Sequence, residues 1–262
     1  MKNTKVFLKD RAVVEKIIDS AKLTKEDVVI EIGSGEGVLT KEIAKKAKHV
    51  YAIEYDLNLL DASKMELSDF DNITFMHGDA LEIDFPTDAN KIMSNLPYAI
   101  SSPITEKIVY YLNSKPSSKA ILMYQKEFAD RMLAIPGIRD YSMLSVFCQY
   151  SCNIRKIITV SKRSFRPVPS VDSTVIELTP KPIHIDKGFL EFCHSIFQHK
   201  KKNLYSAVID SRRNMLIKDR EQLRERLKSI DQSYLNEKVF MLEIEELVRI
   251  HREMVKLGIC QE

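Results

Sequence analysis

Apolar residues recur along this chain at two spacings that alternate from segment to segment. Over residues 10–21 and 39–48 they recur every three or four positions, which is typical of helices with one buried face. Short runs rich in β-branched residues lie between such segments and predict strands. The predicted strands cover residues 28–32, 49–53, 73–76, 91–94, 120–124, 153–160 and 171–178. Because strands alternate with helices, the pattern predicts a doubly wound α/β fold, with a parallel sheet covered by helices on both faces.

The pattern changes at Pro180-Lys181-Pro182, where two prolines resist regular structure and predict a linker. Beyond it the apolar residues follow helical spacing over residues 189–197, 203–210, 220–227 and 244–257, and no strand pattern appears. The sequence therefore predicts an α/β domain over residues 1–180 and a small helical domain over residues 183–262. A length of 262 residues suits this division.

Composition argues against several classes of protein. Hydrophobic residues make up 44% of the chain and charged residues 29%, and no stretch approaches the roughly 20 apolar residues that a membrane span needs. The N-terminal segment lacks the apolar core of a secretory signal. The four cysteines form no C-x-x-C pair and match no histidine pattern, so we expect neither a metal site nor a disulfide framework. We therefore expect a soluble, cytoplasmic monomer without a membrane partner.

The charge is distributed unevenly, although the net charge is only +3. Residues 1–100 hold 13 Lys or Arg against 18 Asp or Glu, whereas residues 101–180 hold 11 against 6 and residues 181–262 hold 16 against 13. The excess of positive charge thus lies after residue 100. Such an excess of positive charge suits a protein that binds a polyphosphate partner such as nucleic acid. The alternative is that these charges only lie on helix faces exposed to water.

A glycine-rich segment, Glu31-Ile32-Gly33-Ser34-Gly35-Glu36-Gly37, follows the first predicted strand and precedes a predicted helix. Glycines at such a position allow a tight turn and a close approach of the backbone to a ligand. In a doubly wound sheet, ligands bind at the carboxyl ends of the strands. A glycine-rich turn without a ligand is the alternative for this motif taken alone.

Acidic residues follow the next two strands. Glu54 ends the second strand about 20 residues after the glycines, where a carboxylate can accept hydrogen bonds from both hydroxyls of a ribose. Asp79, in Gly78-Asp79-Ala80 after the third strand, is placed to accept from an exocyclic adenine amine. Acids at strand ends are often only solvated, but three such features in consecutive loops predict a nucleoside cofactor.

Asn95-Leu96-Pro97-Tyr98 follows the fourth strand and is the most specific signal in the chain. The arrangement resembles the N6-adenine methyltransferases, and the chemistry of adenine explains the residue types. N6 is a poor nucleophile while its lone pair is delocalised into the ring. If the Asn95 side-chain oxygen and the Leu96 carbonyl accept the two N6 hydrogens, the lone pair turns towards the methyl group, so that catalysis rests on orientation and electrostatics. Pro97 stiffens the loop, and Tyr98 offers a stacking face or, alternatively, is a plain core aromatic.

Comparison of longer segments restricts the resemblance to one family of N6-adenine methyltransferases. The segment NLPYAISSPI at residues 95–104 resembles the ribosomal RNA adenine dimethyltransferases, as do QKEFADR at 125–131, FRPVPSVDS at 165–173 and FQHKKK at 197–202. The Ser-Ser-Pro-Ile ending resembles the archaeal and eukaryotic small-subunit branch, whereas large-subunit resistance methyltransferases typically carry Thr-Asp there. The resemblance implies a Rossmann-like methyltransferase sheet, S-adenosyl-L-methionine as cofactor, and small-subunit ribosomal RNA in a 30S-type pre-ribosomal particle as partner.

The resemblance also implies three groups of site residues. Those expected to contact the cofactor are Leu8, Gly33, Gly35, Glu54, Asp79, Ala80 and Asn95. Those expected to hold the target base are Asn95, Leu96, Pro97 and Tyr98, with Phe165 as a second stacking candidate whose alternative is a core aromatic. Those expected to contact RNA phosphates are Arg163, Arg166, Lys200, Lys201 and Lys202, for which a solvated charge run is the alternative.

One segment departs from the family pattern. The family usually has Gly-Gln before a Phe-Leu pair near the N-terminus, and here Thr4-Lys5 stands before Val6-Phe7-Leu8. This part resembles the segment that closes over the cofactor, so the departure bears on closure and on cofactor affinity.

Other functions remain open at this point. A large-subunit RNA methyltransferase would use the same chemistry, but Ser102-Pro103 argues against it. A non-catalytic ribosome assembly factor would keep the fold and the RNA surface, but the intact motif at residues 95–98 argues against loss of catalysis. A DNA adenine methyltransferase is the least favoured.

Overall fold

The computed structural model describes residues 6–261, and the chain divides into two compact units. The first unit holds the chain up to Ala129 together with Cys152–Pro182, and the second holds Asp130–Ser151 together with the chain from Ile183 onwards. The later boundary lies beside the predicted linker. The division differs from the one expected at residues 130–151, which belong to the helical unit although they precede two strands of the sheet.

The first unit is built around a seven-stranded sheet. Its strands are β2 (Val28–Ile32), β3 (His49–Glu54), β4 (Ile73–His77), β5 (Lys91–Asn95), β6 (Lys119–Gln125), β7 (Cys152–Val160) and β9 (Ser173–Pro180), in the spatial order β4-β3-β2-β5-β6-β9-β7. A separate antiparallel pair joins β1 (Phe7–Leu8) to β8 (Phe165–Arg166). Strands β2 to β6 pair in parallel, so their carboxyl ends meet at one edge. The doubly wound, Rossmann-like α/β fold is thereby confirmed.

The sheet is mixed rather than wholly parallel, which corrects the sequence prediction. Strand β9 pairs antiparallel with both β6 and β7. A parallel connection needs a crossover of about a dozen residues or more, usually a helix. Between β7 and β9 the chain instead forms a 3₁₀ turn (Lys162–Ser164) and the short β8, so it returns as an antiparallel strand.

Helices cover the sheet of the first unit. They are α1 (Arg11–Ala21), α2 (Val38–Lys46), α3 (Leu57–Glu66) and α4 (Ser101–Asn113), and α5 (Lys126–Leu133) continues into the second unit. Asp10 caps α1 by accepting from the backbone N–H groups of Ala12 and Val13. The apolar face of α1, with Ile17 and its neighbours, packs in one core with Val29 of β2. All five residues of β2 are buried, which gives the loop at its carboxyl end a rigid base.

The second unit is helical. Its helices are α6 (Met143–Ser151), α7 (Lys187–Phe197), α8 (Leu204–Asp210), α9 (Arg220–Leu227), α10 (Gln232–Asn236) and α11 (Ile244–Lys256). Aromatic contacts explain why residues 130–151 belong to it: the ring centroids of Tyr150 and Phe189 are 4.6 Å apart, and those of Tyr141 and Phe197 are 5.6 Å apart.

Three global features follow from the described residues. All four cysteines are buried and unbridged. Between residues 6 and 261, no cluster of three or more His, Cys, Asp or Glu side chains is arranged to hold a metal ion. No helix in this same part of the chain has both the length and the apolar character needed to cross a lipid bilayer.

Candidate active site

Three glycines turn the chain between β2 and α2. Gly33, Gly35 and Gly37 have φ angles of +73°, +54° and +76°, a left-handed conformation that L side chains rarely adopt. A Cβ atom on Gly33 would lie 3.3 Å from Pro97 Cγ, and one on Gly35 would lie 3.3 Å from Phe7 Cε1. The backbone conformation therefore favours glycine at these positions, the space beside Gly33 and Gly35 is tight, and the loop closely approaches two other segments of the first unit.

Hydrogen bonds tie this loop to the end of β3. The Ile53 carbonyl accepts from the Gly33 N–H at 2.8 Å, and Glu54 Oε2 accepts from the Gly35 N–H at 2.9 Å. Glu54 Oε1 accepts from the Asp56 N–H, also at 2.9 Å. The Glu54 carboxylate, whose residue is 7% exposed, is therefore fixed beside the glycine loop.

The Ser34 hydroxyl in the same loop is buried and finds no hydrogen-bond partner among residues 6–261. Most buried hydroxyls have a partner, and leaving one unpaired costs about 1–3 kcal/mol. A ligand or solvent molecule in the loop would supply the missing partner.

Asp79 begins a turn at the end of β4. Its Oδ1 accepts from the Leu81 N–H at 2.8 Å, and its carbonyl accepts from the N–H groups of Glu82 and Ile83 at 2.9 Å each. The next residue, Ala80, is 6% exposed. The turn holds the Asp79 carboxylate at the edge of the sheet where β3 carries Glu54.

Glu31, in β2, is a further buried acid. The Thr40 hydroxyl donates to Glu31 Oε2 at 2.5 Å. Burial raises the pKa of Glu31 to about 8, helped by the negative charge of Glu54 and opposed by the Thr40 hydrogen bond. At neutral pH Glu31 is therefore mostly protonated and adds little negative charge beside Glu54.

Asn95 ends β5, which lies next to β2. Its Nδ2 donates to the Val6 carbonyl at 3.3 Å. Because the amide oxygen and nitrogen lie on opposite sides of Cγ, this bond directs Oδ1 away from Val6. The following N–H, of Leu96, donates to the Met123 carbonyl at 3.2 Å and fixes the next peptide.

Tyr98 begins a 3₁₀ turn (Tyr98–Ile100) that leads into α4. Its hydroxyl lies 2.9 Å from Oγ of Ser173, which is fully buried at the start of β9. Burial raises the pKa of Tyr98, and the Ser173 hydrogen bond opposes this rise. Tyr98 is therefore a neutral, half-buried phenol at physiological pH, and it offers an aromatic ring rather than a base.

The parallel strands bring the predicted segments together at one edge of the sheet. Gly33, Glu54, Asp79 and Asn95 stand at or just after the carboxyl ends of β2, β3, β4 and β5, which are neighbours. The Gly35–Glu54 hydrogen bond and the approach of Pro97 to Gly33 connect three of these segments directly. The roles of these residues towards a ligand stay predictions.

Two predicted site residues lie in the core instead. Leu8 is 7% exposed, Phe165 is fully buried, and the two are register partners in the β1–β8 pair. Phe165 exposes no ring face to a base in this fold, which favours its interpretation as a core aromatic. Phe7, rather than Leu8, approaches the glycine loop. The departure at Thr4-Lys5 lies outside the described residues.

Sequence reasoning missed three contacts of the site. The Val6 carbonyl holds the Asn95 amide, the Phe7 ring lies close to Gly35, and Ser173 holds the Tyr98 hydroxyl. The available signals were the Phe-Leu pair near the N-terminus and the motif that ends at Ser173. Neither signal revealed which atoms meet.

Two of the basic residues expected to contact RNA, Arg163 and Arg166, lie in the first unit, and both are exposed. Arg166 lies 3.3 Å from the Glu36 carboxylate, an exposed ion pair that contributes little to stability. Both guanidinium groups are therefore accessible to solvent.

In the second unit, the three consecutive lysines are not equivalent. Lys200 Nζ donates to the carbonyls of Arg139 at 2.8 Å and of Tyr141 at 2.7 Å. Lys202 Nζ lies 2.6 Å from the Asp210 carboxylate. Lys201 is exposed, so it is the lysine of the three best placed to meet an external phosphate.

One known family and several known proteins are similar to this chain over most of its length. A family model described as ribosomal RNA adenine dimethylase matches residues 2–234. A probable ribosomal RNA small subunit methyltransferase A from Methanococcus vannielii is 42% identical over 247 residues, which cover 92% of this chain and 91% of that protein.

Two solved structures resemble both units. A dimethyladenosine transferase from Plasmodium falciparum has a TM-score of 0.84 at 28% identity, covering 97% of this chain and 99% of that chain. The 23S rRNA methyltransferase ErmE has a TM-score of 0.69 at 25% identity, covering 95% of this chain and 99% of that chain. Since the family model matches most of the sequence and the sheet edge carries the family's N-L-P-Y motif, this chain belongs to the ribosomal RNA adenine dimethylase family.

Proposed function

We propose that this protein transfers methyl groups from S-adenosyl-L-methionine to N6 of adenine in small-subunit ribosomal RNA, giving N6,N6-dimethyladenosine. The observation that carries the proposal is the position of Asn95-Leu96-Pro97-Tyr98 at the carboxyl end of β5, with Pro97 against Gly33 of the glycine loop. The motif for the base and the loop for the cofactor thus adjoin.

The residues at the sheet edge suit a nucleoside cofactor. The left-handed glycines at residues 33, 35 and 37 turn the backbone at the sheet edge, and the buried Ser34 hydroxyl has an unmet hydrogen-bonding capacity. The Glu54 carboxylate suits ribose hydroxyls, and Asp79 suits the amine of an adenine ring. When bound, S-adenosylmethionine supplies a methyl group on a positively charged sulfur, which is the electrophile of the reaction.

Asn95 and Leu96 are proposed to orient the target amine. The bond from Asn95 Nδ2 to Val6 fixes the amide rotation, so Oδ1 is preorganised as an acceptor. With the Leu96 carbonyl as the second acceptor, the two N6 hydrogens are held and the nitrogen lone pair is released from the ring. Preorganised acceptors of this kind need no reorganisation during the reaction, which is the main source of their effect.

Tyr98 is proposed to supply the stacking face for an unpaired adenine. Its hydroxyl is held by Ser173, so the ring is restrained before a base arrives. A neutral ring suits stacking, which contributes about 1–3 kcal/mol per base in single-stranded nucleic acid complexes. The pKa of Tyr98 is raised, so proton abstraction by a phenolate is not part of the proposal.

The small subunit is favoured as substrate by the Ser102-Pro103 sequence and by the names of the relatives. The archaeal relative is named for small-subunit ribosomal RNA, and the dimethyladenosine transferase matches this chain more closely than the 23S enzyme does. We propose a 30S-type particle as the physiological partner. Exposed Arg163, Arg166 and Lys201 are the proposed phosphate contacts.

The proposal is tested by transfer of labelled methyl groups from S-adenosylmethionine to under-methylated 30S particles, 50S particles and naked ribosomal RNA. We expect transfer to adenine N6 in 30S particles. Transfer to 50S particles alone would favour a large-subunit enzyme. Tight binding to 30S without any transfer would favour a non-catalytic assembly factor.

The variant that tests the amine-orienting role in the same assay is Asn95→Ala, because it removes one acceptor proposed to face N6. Loss of one preorganised group of this kind typically lowers the rate by about 10²- to 10³-fold. Single-turnover transfer at saturating cofactor and 30S reports this step without the binding terms. RNA affinity should hardly change, since phosphate contacts dominate it. A near wild-type single-turnover rate would remove Asn95 from the amine-orienting role.

A further inference from the structure

Side chains along and just after helix α4 form hydrogen bonds to the backbone of the connection between β4 and β5. Lys107 and Tyr111 are four residues apart and share one face of the helix, and Lys115 follows just beyond its end. All three donate to backbone carbonyls of this connection. Lys107 donates to residues 80, 81 and 83, and Lys115 donates to residue 87. The single hydroxyl hydrogen of Tyr111 lies within reach of the carbonyls of residues 86 and 89. The same helix begins directly after the Asn95–Tyr98 motif.

All the N–H donors of Lys107 are used by carbonyls of the connection between β4 and β5. An ammonium group has three N–H donors, and carbonyls of Ala80, Leu81 and Ile83 accept at 2.9, 3.1 and 2.5 Å. The ammonium also lies 4.5 Å from the ring centroid of Phe85, a cation–π contact. No Lys107 donor is left over for a cofactor or for RNA.

The turn held by Lys107 is the one that begins at Asp79. Leu81 is bonded from both sides, since its N–H donates to Asp79 Oδ1 and its carbonyl accepts from Lys107. Burial lowers the pKa of Lys107, while the charges of Asp84 and Asp79 raise it. The ammonium is therefore coupled to Asp79 by a short chain of hydrogen bonds and by charge.

Such an arrangement orders the turn before a ligand arrives. Ordering a loop during binding lowers affinity, whereas a loop already in its bound form avoids that cost. If Asp79 accepts from the adenine amine, the position of its carboxylate decides both how tightly adenosine binds and how well it is distinguished from a base without the amine.

We propose that Lys107 is a positioning residue that sets the affinity and base selectivity of the cofactor site by holding the Asp79 turn. The inference rests on the proposed function, because it assumes that Asp79 meets the adenine of the cofactor. Lys107 is proposed to act through this turn, because its ammonium group donates to the carbonyls of Ala80, Leu81 and Ile83.

Lys115 provides a matched control. It too donates to a backbone carbonyl of the β4–β5 connection, that of Thr87, and it lies 5.2 Å from the ring centroid of Tyr111. Thr87 lies beyond the Asp79 turn. Lys115→Met therefore removes the same kind of support without releasing Asp79.

The experiment measures binding of S-adenosylhomocysteine and of its 6-oxo analogue S-inosylhomocysteine by calorimetry, with full-length wild type, Lys107→Met and Lys115→Met. In Lys107→Met we expect adenosyl affinity to fall about 10-fold, the effect of losing roughly one hydrogen bond's worth of binding energy. Inosyl affinity should change less, so the preference for adenosyl shrinks. KM for S-adenosylmethionine should rise while kcat at saturating cofactor stays near wild type. Lys115→Met should keep the wild-type preference.

The outcomes separate this inference from the proposed function. If the wild type binds neither ligand, the proposed cofactor is wrong. If the wild type binds but Lys107→Met keeps its adenosyl preference, or weakens both ligands equally, Lys107 is only a structural support and the inference is overturned. Should Lys107→Met fail to fold, Lys107→Gln keeps one amide donor group at this position and is subjected to the same comparison.

Discussion

At the residue scale, the proposed catalytic side chains depend on neighbours that do not themselves react. Asn95 is oriented by the Val6 carbonyl, and Tyr98 is held by Ser173. Glu54 is fixed by the N–H groups of Gly35 and Asp56. Preorganisation of this kind matters because small displacements of an orienting group reduce rates strongly.

The Ser173–Tyr98 contact gives a prediction at this scale. Ser173→Ala removes the partner of the Tyr98 hydroxyl, and one hydrogen bond of about 1 kcal/mol corresponds to about a 5-fold loss in single-turnover methyl transfer. Tyr98→Phe should lose a similar amount, and the double variant should lose no more than either single variant. Ser117→Ala is the control, since Ser117 is exposed in the turn after α4 and lies outside the motifs of the site. Additive losses in the double variant would contradict the assignment of Ser173 to Tyr98.

At the scale of elements, two neighbouring lysines of the second unit have different roles: Lys200 forms hydrogen bonds within the unit, and Lys201 is exposed. Lys200, just after α7, joins the carbonyls of Arg139 and Tyr141, which precede α6. A run of three lysines in the sequence therefore does not act as a uniform basic face. The bonds of each lysine decide whether its charge is available to RNA.

Lys200→Met should consequently lower the stability of the protein, whereas Lys201→Met should change the salt dependence of its binding to RNA. Loss of the Lys200 ammonium group leaves two carbonyls without this donor and should lower the free energy of unfolding by about 1–3 kcal/mol. Lys201→Met should change it by less than about 0.5 kcal/mol, as exposed substitutions usually do. In binding to 30S particles, Lys201→Met should reduce the slope of log affinity against log salt by about 1, and Lys200→Met should leave it unchanged. Equal slopes in all three proteins would mean that Lys201 makes no phosphate contact.

At the scale of the whole molecule, the buried Glu31 makes stability depend on pH. The pKa of Glu31 in the folded protein is about 8, against an ordinary value of 4.5. Between these values the folded carboxyl keeps a proton that the unfolded chain releases. Unfolding then releases a proton, so the free energy of unfolding contributed by Glu31 is largest at low pH and falls as pH rises through this range.

Glu31→Gln should therefore flatten the pH dependence of stability. The amide keeps the neutral form and can still bond to Thr40, but it cannot titrate. One proton corresponds to a slope of at most about 1.4 kcal/mol per pH unit. Urea unfolding from pH 5 to 8, followed by far-UV circular dichroism because the chain has no tryptophan, measures the slope. Identical slopes in wild type and variant would show that Glu31 is ionised in the folded protein.

The sequence by itself determined the α/β fold class, the approximate positions of the sheet strands and the edge of the sheet at which the predicted site residues lie. It could do so because buried strands read as short β-branched runs, helices repeat their apolar residues every three or four positions, and parallel strands must end at one edge. The motif Asn95-Leu96-Pro97-Tyr98 identified the family because its residue types at that strand end are specific.

Only the tertiary structure decided which atoms meet across long separations in sequence. The antiparallel return of β9, the membership of residues 130–151 in the helical unit and the burial of Phe165 all depend on packing partners far along the chain. The same holds for Val6 with Asn95, Ser173 with Tyr98 and Lys107 with the Asp79 turn. Local periodicity reports the conformation and burial of a segment, but a single hydrogen bond between distant residues leaves no periodic signal in one sequence.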